Sequence, residues 1–105
     1  MTHNADSAAT SADSMRRLHE AFCALETPEE AEALLADLLS TREITDLAQR
    51  LEVATLLHQG ASYIEVSKAT GASSTTVSRV SKCLNGEAGG YRTVLARLDA
   101  SGDAS

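Results

Sequence analysis

Apolar residues recur every three or four positions along most of this chain, which is the spacing of amphipathic α-helices. A first stripe runs from about residue 14 to residue 25, a broader one continues to residue 39, and a third ends at Gly60. The third stripe covers more than one side of its helix, so that helix has to be buried on several sides. A chain of 105 residues can scarcely bury it alone. The pattern therefore predicts a dimer with this helix at its centre.

Capping boxes divide the pattern into helices. Thr27, Ser40 and Ser62 each precede by three residues a glutamate that can reach back to the start of a helix. Pro28 strengthens the first assignment, since proline suits the first position of a helix. After residue 84 glycines break the chain twice, and helical spacing resumes until residue 98. Six helices are expected.

The composition favours an all-α protein of one domain. Good helix formers dominate, there is one proline, and runs of β-branched residues are almost absent. The helical domain is predicted to span residues 13–99. The flanking segments, 1–12 and 100–105, are small and polar, and we expect a disordered arm and a disordered tail.

Residues 62–84 have the form of two short helices joined by a tight turn. Ile64, Val66 and Ala69 are expected to supply the apolar face of the first helix. Gly71 can adopt the left-handed conformation that ends a helix, and Ser73 or Ser74 can cap the next one. The inward side of that second helix is predicted to carry Val77, Val80 and Leu84.

The outward side of the second helix carries hydroxyls and cations and no carboxylate. Arginine can bind guanine in a fork, hydroxyls adapt to either base edge, and a threonine methyl can touch thymine. The spacing is that of a helix-turn-helix, which places its second helix in the DNA major groove. The spacing alone fits a tight αα corner equally well. The acid-free face favours DNA, because an ordinary solvated helix would mix glutamate with lysine. The predicted DNA-binding residues are Lys68, Ser73, Ser74, Thr75, Thr76, Ser78, Arg79 and Lys82.

The net charge of −6 is unevenly distributed. Residues 1–40 hold eight acidic side chains against two arginines, whereas residues 60–85 hold three basic side chains against Glu65. Exposed charges farther apart than about 8–10 Å are largely screened at physiological salt, so the local sign matters most. The helix-turn-helix lies in the only net basic segment. Acidity elsewhere should weaken non-specific binding.

Other classes of function lack support in the sequence. His19 and Cys23 are four residues apart, but without a close cysteine pair the two cysteines predict neither a metal site nor a disulfide framework. Glu29 and Glu30 suit the first turn of a helix, where the dipole favours acids. No nucleophile–base pair, phosphate loop, long apolar run or basic leader is present. We therefore expect a cytoplasmic protein that is neither an enzyme nor membrane-bound.

The segment REITDLAQRLEVATLLHQGASYIEVSKATGASSTTVSRVSKCL, with the glycine-broken link to a last helix, resembles the Trp repressor superfamily, most closely its YerC/YecD-type branch. The resemblance covers roughly residues 14–98. It implies an intertwined homodimer in which the first three helices and the last helix of each subunit form a shared core. Two helix-turn-helix readers would then lie about one DNA turn apart on a pseudo-palindromic operator.

The resemblance also implies an effector pocket, because Trp repressors hold tryptophan between the long central helix and the recognition helix, sandwiched by two arginines. One of those arginines matches Arg79, and a threonine matches Thr76. The second arginine falls at Gln49, beside Arg50, and the serine that receives the amino group of the ligand falls at Cys83. Losing a guanidinium removes a stacking plane and a cation, although Arg50 could substitute after a small rotation. No tryptophan cofactor is expected. Two alternatives remain: another small molecule acts as the effector, or the recognition helix is held in its DNA-binding orientation without any effector.

The functional hypothesis is a homodimeric transcriptional regulator, by resemblance a repressor, that binds double-stranded DNA. The alternative is a helical scaffold that binds a protein partner and not DNA, which the acidic total charge would also suit.

Overall fold

The computed structural model describes the backbone of residues 7–104 and the side chains of residues 11–101. Six helices follow one another in that range: α1 (Ser7–Ala24), α2 (Pro28–Leu38), α3 (Thr41–His58), α4 (Tyr63–Thr70), α5 (Ser74–Leu84) and α6 (Gly90–Ala104). The predicted all-α class is confirmed. The chain forms two compact units, Met1–Ser40 and Thr41–Ser105.

The first unit contains α1 and α2, and none of its described side chains is buried. Met15, Leu18 and Phe22 form the apolar stripe of α1 and are between 37% and 54% exposed. α1 begins at Ser7, ahead of the start expected near residue 14, because the alanines of this segment are strong helix formers. Residues 7–12 of the predicted disordered arm are therefore helical. Residues 1–6 of that arm lie outside the described range.

The start of α2 follows the predicted capping pattern with one difference. The Thr27 hydroxyl accepts a hydrogen bond from the N–H of Glu30 at 3.1 Å, and Pro28 opens the helix. The Glu30 carboxylate accepts from the N–H of Glu26 at 2.8 Å, one residue farther back than a capping box requires. The start of α2 is thus fixed by hydrogen bonds within a five-residue segment.

The second unit contains all the buried side chains of the described chain, and every one of them is apolar. They come from α3, α4, the turn after α4, α5 and α6: Val53, Ala54, Val66, Ala72, Val77, Val80, Leu84 and Leu95. The predicted inward side of α5 is confirmed. Since burying one Val or Leu side chain contributes roughly 1.5–3 kcal/mol, this cluster fixes the helix-turn-helix against α3 and α6.

The start of α4 is the predicted capping box. The Ser62 N–H donates to the Glu65 carboxylate at 2.8 Å, and the Glu65 N–H donates to the Ser62 hydroxyl at 3.1 Å. Hydrogen bonding by the Ser62 backbone, and then by its side chain, lowers the pKa of Glu65 below its ordinary value. Gly71 ends the helix at φ +76°, as its position in the sequence predicted.

The predicted apolar face of α4 is corrected by the structure. Val66 is fully buried, but Ile64 is 70% exposed and Ala69 is exposed as well. Residues two positions apart on an α-helix point about 200° away from each other, so Ile64 and Val66 cannot share a face. Val66 occupies the core, and Ile64 faces solvent.

The helix α6 continues past its predicted end near residue 98, so residues 100–104 of the expected tail are helical. Gly102 weakens a helix by about 1 kcal/mol relative to alanine but does not block it as proline would. Arg92 donates to the carbonyl of Leu84 at 2.6 Å, which links α6 to the end of α5. The His58 Nε2 atom lies 3.5 Å from the Asp99 Oδ2 atom, and this contact links α6 to the end of α3.

No helix within residues 7–104 is long and apolar enough to cross a membrane. Among the described side chains, no three His, Cys, Asp or Glu residues are grouped so as to hold a metal ion.

Candidate nucleic-acid interface

A groove of about 530 Å³ runs along the outward side of α5. None of its lining residues is acidic, and α5 has no acid in its first turn. The groove therefore presents hydroxyl donors and two cations, the groups that bind phosphate oxygens and base edges. Its lining residues are Tyr63, Ser74, Thr75, Ser78, Arg79 and Lys82.

The orientation of this groove is set by the opposite side of α5. Val77 is fully buried and Val80 and Leu84 are almost so, so α5 cannot rotate without exposing them. The turn before α5 is fixed by the Ser67 hydroxyl, which donates to the carbonyl of Ala72 at 2.8 Å. Both constraints keep the hydroxyl and cationic side of α5 toward solvent.

The structure brings most of the predicted DNA-binding residues to this groove: Ser74, Thr75, Ser78, Arg79 and Lys82. Ser73 is the N-cap of α5, and its hydroxyl accepts from the Thr76 N–H at 3.2 Å and donates to the Thr76 hydroxyl at 3.1 Å. Both hydroxyls are thus engaged at the start of the helix. Lys68 is exposed in the last turn of α4 and does not line the groove.

A smaller cavity of about 250 Å³ lies among α3, α5 and α6. Two guanidinium groups, of Arg50 and Arg79, line it together, which makes it suited to an anion such as a carboxylate. Arg79 also lines the groove, so the two sites share a side chain. The lining residues of this cavity are Arg50, Thr76, Arg79, Val80, Cys83 and Tyr91.

The predicted effector pocket is corrected at one residue. Gln49 does not line the cavity, because its side-chain amide donates to the carbonyl of Thr70 at 3.2 Å and links α3 to the end of α4. Consecutive helical residues point about 100° apart, so Arg50 lies at the cavity when Gln49 faces α4. Arg50 thus supplies a second guanidinium at the cavity beside that of Arg79.

Two tyrosines at these sites were not predicted as functional residues. Tyr63 lines the groove from the first turn of α4, and Tyr91, expected only as an apolar residue of the last helix, lines the cavity. Their positions depend on how α4 and α6 cross α5. Apolar periodicity carries no signal for that crossing.

An apolar groove of about 420 Å³ lies on another side of the second unit. Its lining residues are Leu51, Cys83, Ala88, Gly90, Tyr91 and Val94. Leu47 and Leu98 add to the exposed apolar surface of α3 and α6.

Comparison with known sequences assigns most of the chain to one family. The profile of the Trp repressor protein family matches residues 13–99. The chain is 40% identical over 82 residues to the uncharacterized protein YerC of Bacillus subtilis, and this match covers 78% of the chain and 79% of YerC.

Comparison with solved structures agrees with that assignment. A crystal structure of a Trp repressor candidate from Staphylococcus aureus matches with a TM-score of 0.78 and 34% identity, covering 83% of this chain and 87% of that one. A TrpR-like protein from Eubacterium eligens matches with a TM-score of 0.76 and 36% identity, covering 83% and 90%. These matches confirm the predicted resemblance and the Trp repressor-like fold. The chain belongs to the Trp repressor family.

Proposed function

We propose that this protein is a transcriptional regulator that binds double-stranded DNA as a homodimer, with α5 in the major groove. The observation that carries the proposal is the groove along α5, where hydroxyls, Arg79 and Lys82 share one acid-free face. The family assignment supports the same reading, since the match includes the whole helix-turn-helix.

The side chains of the groove divide into two roles. Ser74, Thr75 and Ser78 lie on the exposed side of α5, from where hydroxyls can reach base edges. Arg79 can bind a guanine edge or a phosphate, and Lys82 can bind the backbone as a point charge. Base contacts would set the sequence preference, and phosphate contacts would set register and salt dependence.

The homodimer is supported by the exposed apolar stripe of α1. Met15, Leu18 and Phe22 lie at helical spacing, yet none of them is buried within the chain. The apolar groove lined by Leu51 and Val94 offers a further surface for another copy. A dimer with two copies of α5 would bind two half-sites of a pseudo-palindromic operator.

The proposal is tested by selecting duplexes that bind the purified protein from fragments of its source genome, at near-physiological salt. Wild type should enrich a palindromic motif, and Arg79→Ala should lose the enrichment while remaining folded. Arg97→Ala is the matched control, because Arg97 is an exposed arginine of α6 outside the groove. Equal enrichment by wild type and Arg79→Ala would refute the role of Arg79. No enrichment by wild type would favour the protein-binding scaffold.

Lys82 provides a second test with a different signature. Because Lys82 is assigned to a phosphate, Lys82→Ala should weaken binding to all duplexes alike. The slope of log affinity against log salt should flatten by about one unit per lost contact. A changed sequence preference would contradict this assignment.

A second candidate function is effector binding in the cavity between Arg50 and Arg79. Two guanidiniums can hold a carboxylate by forked hydrogen bonds, and Tyr91 adds an aromatic wall. Since Arg79 belongs to both sites, a bound carboxylate would alter DNA affinity. Thermal unfolding in the presence of single amino acids, tryptophan included, tests this: a ligand at 100 times its Kd should stabilise wild type by about 2.7 kcal/mol. Arg50→Ala should lose that effect, and no stabilisation by any of the amino acids would contradict an amino-acid effector.

A further inference from the structure

The Tyr63 side chain lines the α5 groove from a different helix than the other lining residues. Tyr63 is the first residue of α4, directly after the Ser62 cap, and it is 50% exposed. Its hydroxyl makes no hydrogen bond to another described residue. A phenol combines an apolar ring that can rest on protein with an O–H that can donate to a ligand. The groove thus has a neutral donor in addition to the α5 cations.

We propose that Tyr63 is a DNA-positioning residue whose phenolic O–H donates to a phosphate oxygen of the strand that borders α5. The inference rests on the proposed function, because it takes duplex DNA as the ligand of the groove. In helix-turn-helix complexes the first helix crosses the backbone while the second contacts base edges. Tyr63 belongs to that first helix and lines the α5 groove, so a phosphate is the DNA group that it would meet.

The backbone that carries Tyr63 is held in place on both sides. The reciprocal hydrogen bonds of Ser62 and Glu65 fix the helix start, and Val66 is fully buried within the same turn. Only the side-chain torsions of Tyr63 remain to be ordered when DNA binds. Ordering side chains and loops on binding reduces affinity. Because the backbone at Tyr63 is already fixed, its phenol loses less conformational entropy on binding than a side chain on a mobile loop would.

The positive charge of the groove comes from Arg79 and Lys82 on α5. The phenol of Tyr63 therefore adds a hydrogen-bond donor to the groove without adding a charge.

The test removes only the hydroxyl. Tyr63→Phe should weaken binding about tenfold to duplexes enriched by wild type, since hydrogen bonds to charged groups are stronger than neutral ones. Because no charge is lost, the slope of affinity against salt should not change, unlike that of Lys82→Ala. The enriched motif should also be unchanged. Fluorescence anisotropy at several salt concentrations measures the affinity and the slope.

Ile64→Ala is the matched control, because Ile64 is more exposed than Tyr63 in the same turn but does not line the groove. Its affinity should stay within about twofold of wild type, below the loss expected for one hydrogen bond to a charged group. Replacing single phosphates by methylphosphonates should then locate the contact. At one phosphate per half-site, the methylphosphonate should weaken binding by wild type but not binding by Tyr63→Phe. Such coupling between the replacement and the substitution is expected of a direct contact.

Three outcomes would overturn the inference while the proposed function stands. Tyr63→Phe could bind DNA as tightly as wild type, Tyr63→Phe could enrich a different motif, or Ile64→Ala could lose as much affinity as Tyr63→Phe. If wild type bound no duplex, or if Arg79→Ala bound as wild type does, the proposed function itself would fail and the role of Tyr63 with it. Both the proposed function and the role of Tyr63 would be supported by one set of results. Wild type would bind DNA, Arg79→Ala would lose binding, and Tyr63→Phe would bind more weakly with an unchanged salt slope.

Discussion

The two units of this chain use the same helical spacing of apolar residues with opposite results. In the second unit Val77 is fully buried, and it belongs to a cluster that gathers residues from four helices. In the first unit Phe22 is 49% exposed, and no described side chain is buried. Periodicity thus specifies that a helix forms and which side of it is apolar, but not which molecule covers that side. The helix-turn-helix is stabilised within the chain, whereas α1 and α2 leave their apolar sides unburied, as the proposed homodimer requires.

The largest effect is expected from placing a charge on the α1 stripe. Phe22→Asp should weaken dimerisation by about 100-fold or more, because burying an unpaired carboxylate costs several kcal/mol. Sedimentation equilibrium measures the dimer dissociation constant. Ala24→Asp adds the same charge to the same turn about 200° away around the helix, and this control should remain dimeric. If the wild-type protein were monomeric at micromolar concentration, the proposal that a second copy packs on the apolar stripe of α1 would be contradicted.

A smaller loss is expected from the core of the second unit. Val77→Ala should reduce the free energy of unfolding by about 2 kcal/mol, from lost burial and the cavity left behind. Urea denaturation at fixed protein concentration measures it. Ile64→Ala, which trims an exposed side chain of the same unit, should stay within about 0.5 kcal/mol. Equal effects of the two substitutions would contradict the assigned core.

The turn between α4 and α5 allows a test of backbone conformation without a steric clash. Gly71 has φ +76°, and a Cβ at this position would meet nothing within 4 Å. Gly71→Ala should therefore cost about 1–2 kcal/mol from the left-handed conformation alone. Gly71→Asn should cost less, because asparagine tolerates that conformation. If both variants unfolded at the wild-type urea concentration, the turn would have another geometry.

The smallest effect is expected from the pH dependence of the α4 cap. The pKa of Glu65 is lowered in the folded protein. Its ionised carboxylate therefore contributes to the free energy of unfolding above the ordinary glutamate pKa, and this contribution is lost as pH falls through the lowered pKa. Wild type should unfold at a higher temperature than Glu65→Gln at neutral pH. That difference should shrink on acidification in this window. A difference that is constant or grows as pH falls would contradict the hydrogen-bonded carboxylate.

Local features of the structure were predictable because their causes lie within a few residues. The caps at Thr27 and Ser62 and the left-handed Gly71 depend on hydrogen bonds and torsions inside one turn. The two sides of α5 were predictable too, because its apolar residues and its hydroxyls separate cleanly around the helix. Each of these predictions needed only sequence spacing.

Features that depend on how helices cross were not predictable in the same way. Ile64 and Val66 are both apolar, and only packing against α3 and α5 decides that Val66 is buried. Whether Gln49 or Arg50 reaches the cavity depends on the rotation of α3, which is fixed by the burial of Val53 and Ala54. These choices are made by contacts distant in sequence.

The central claim is that two copies of this chain bind one DNA site with two copies of α5. Native mass spectrometry of the protein on a duplex enriched by wild type tests it most directly, because the mass counts the chains in the complex. The account predicts a saturated complex of one duplex and two chains, and no such complex with Arg79→Ala. A complex of one chain with one duplex, or the same two-chain complex with Arg79→Ala, would contradict it.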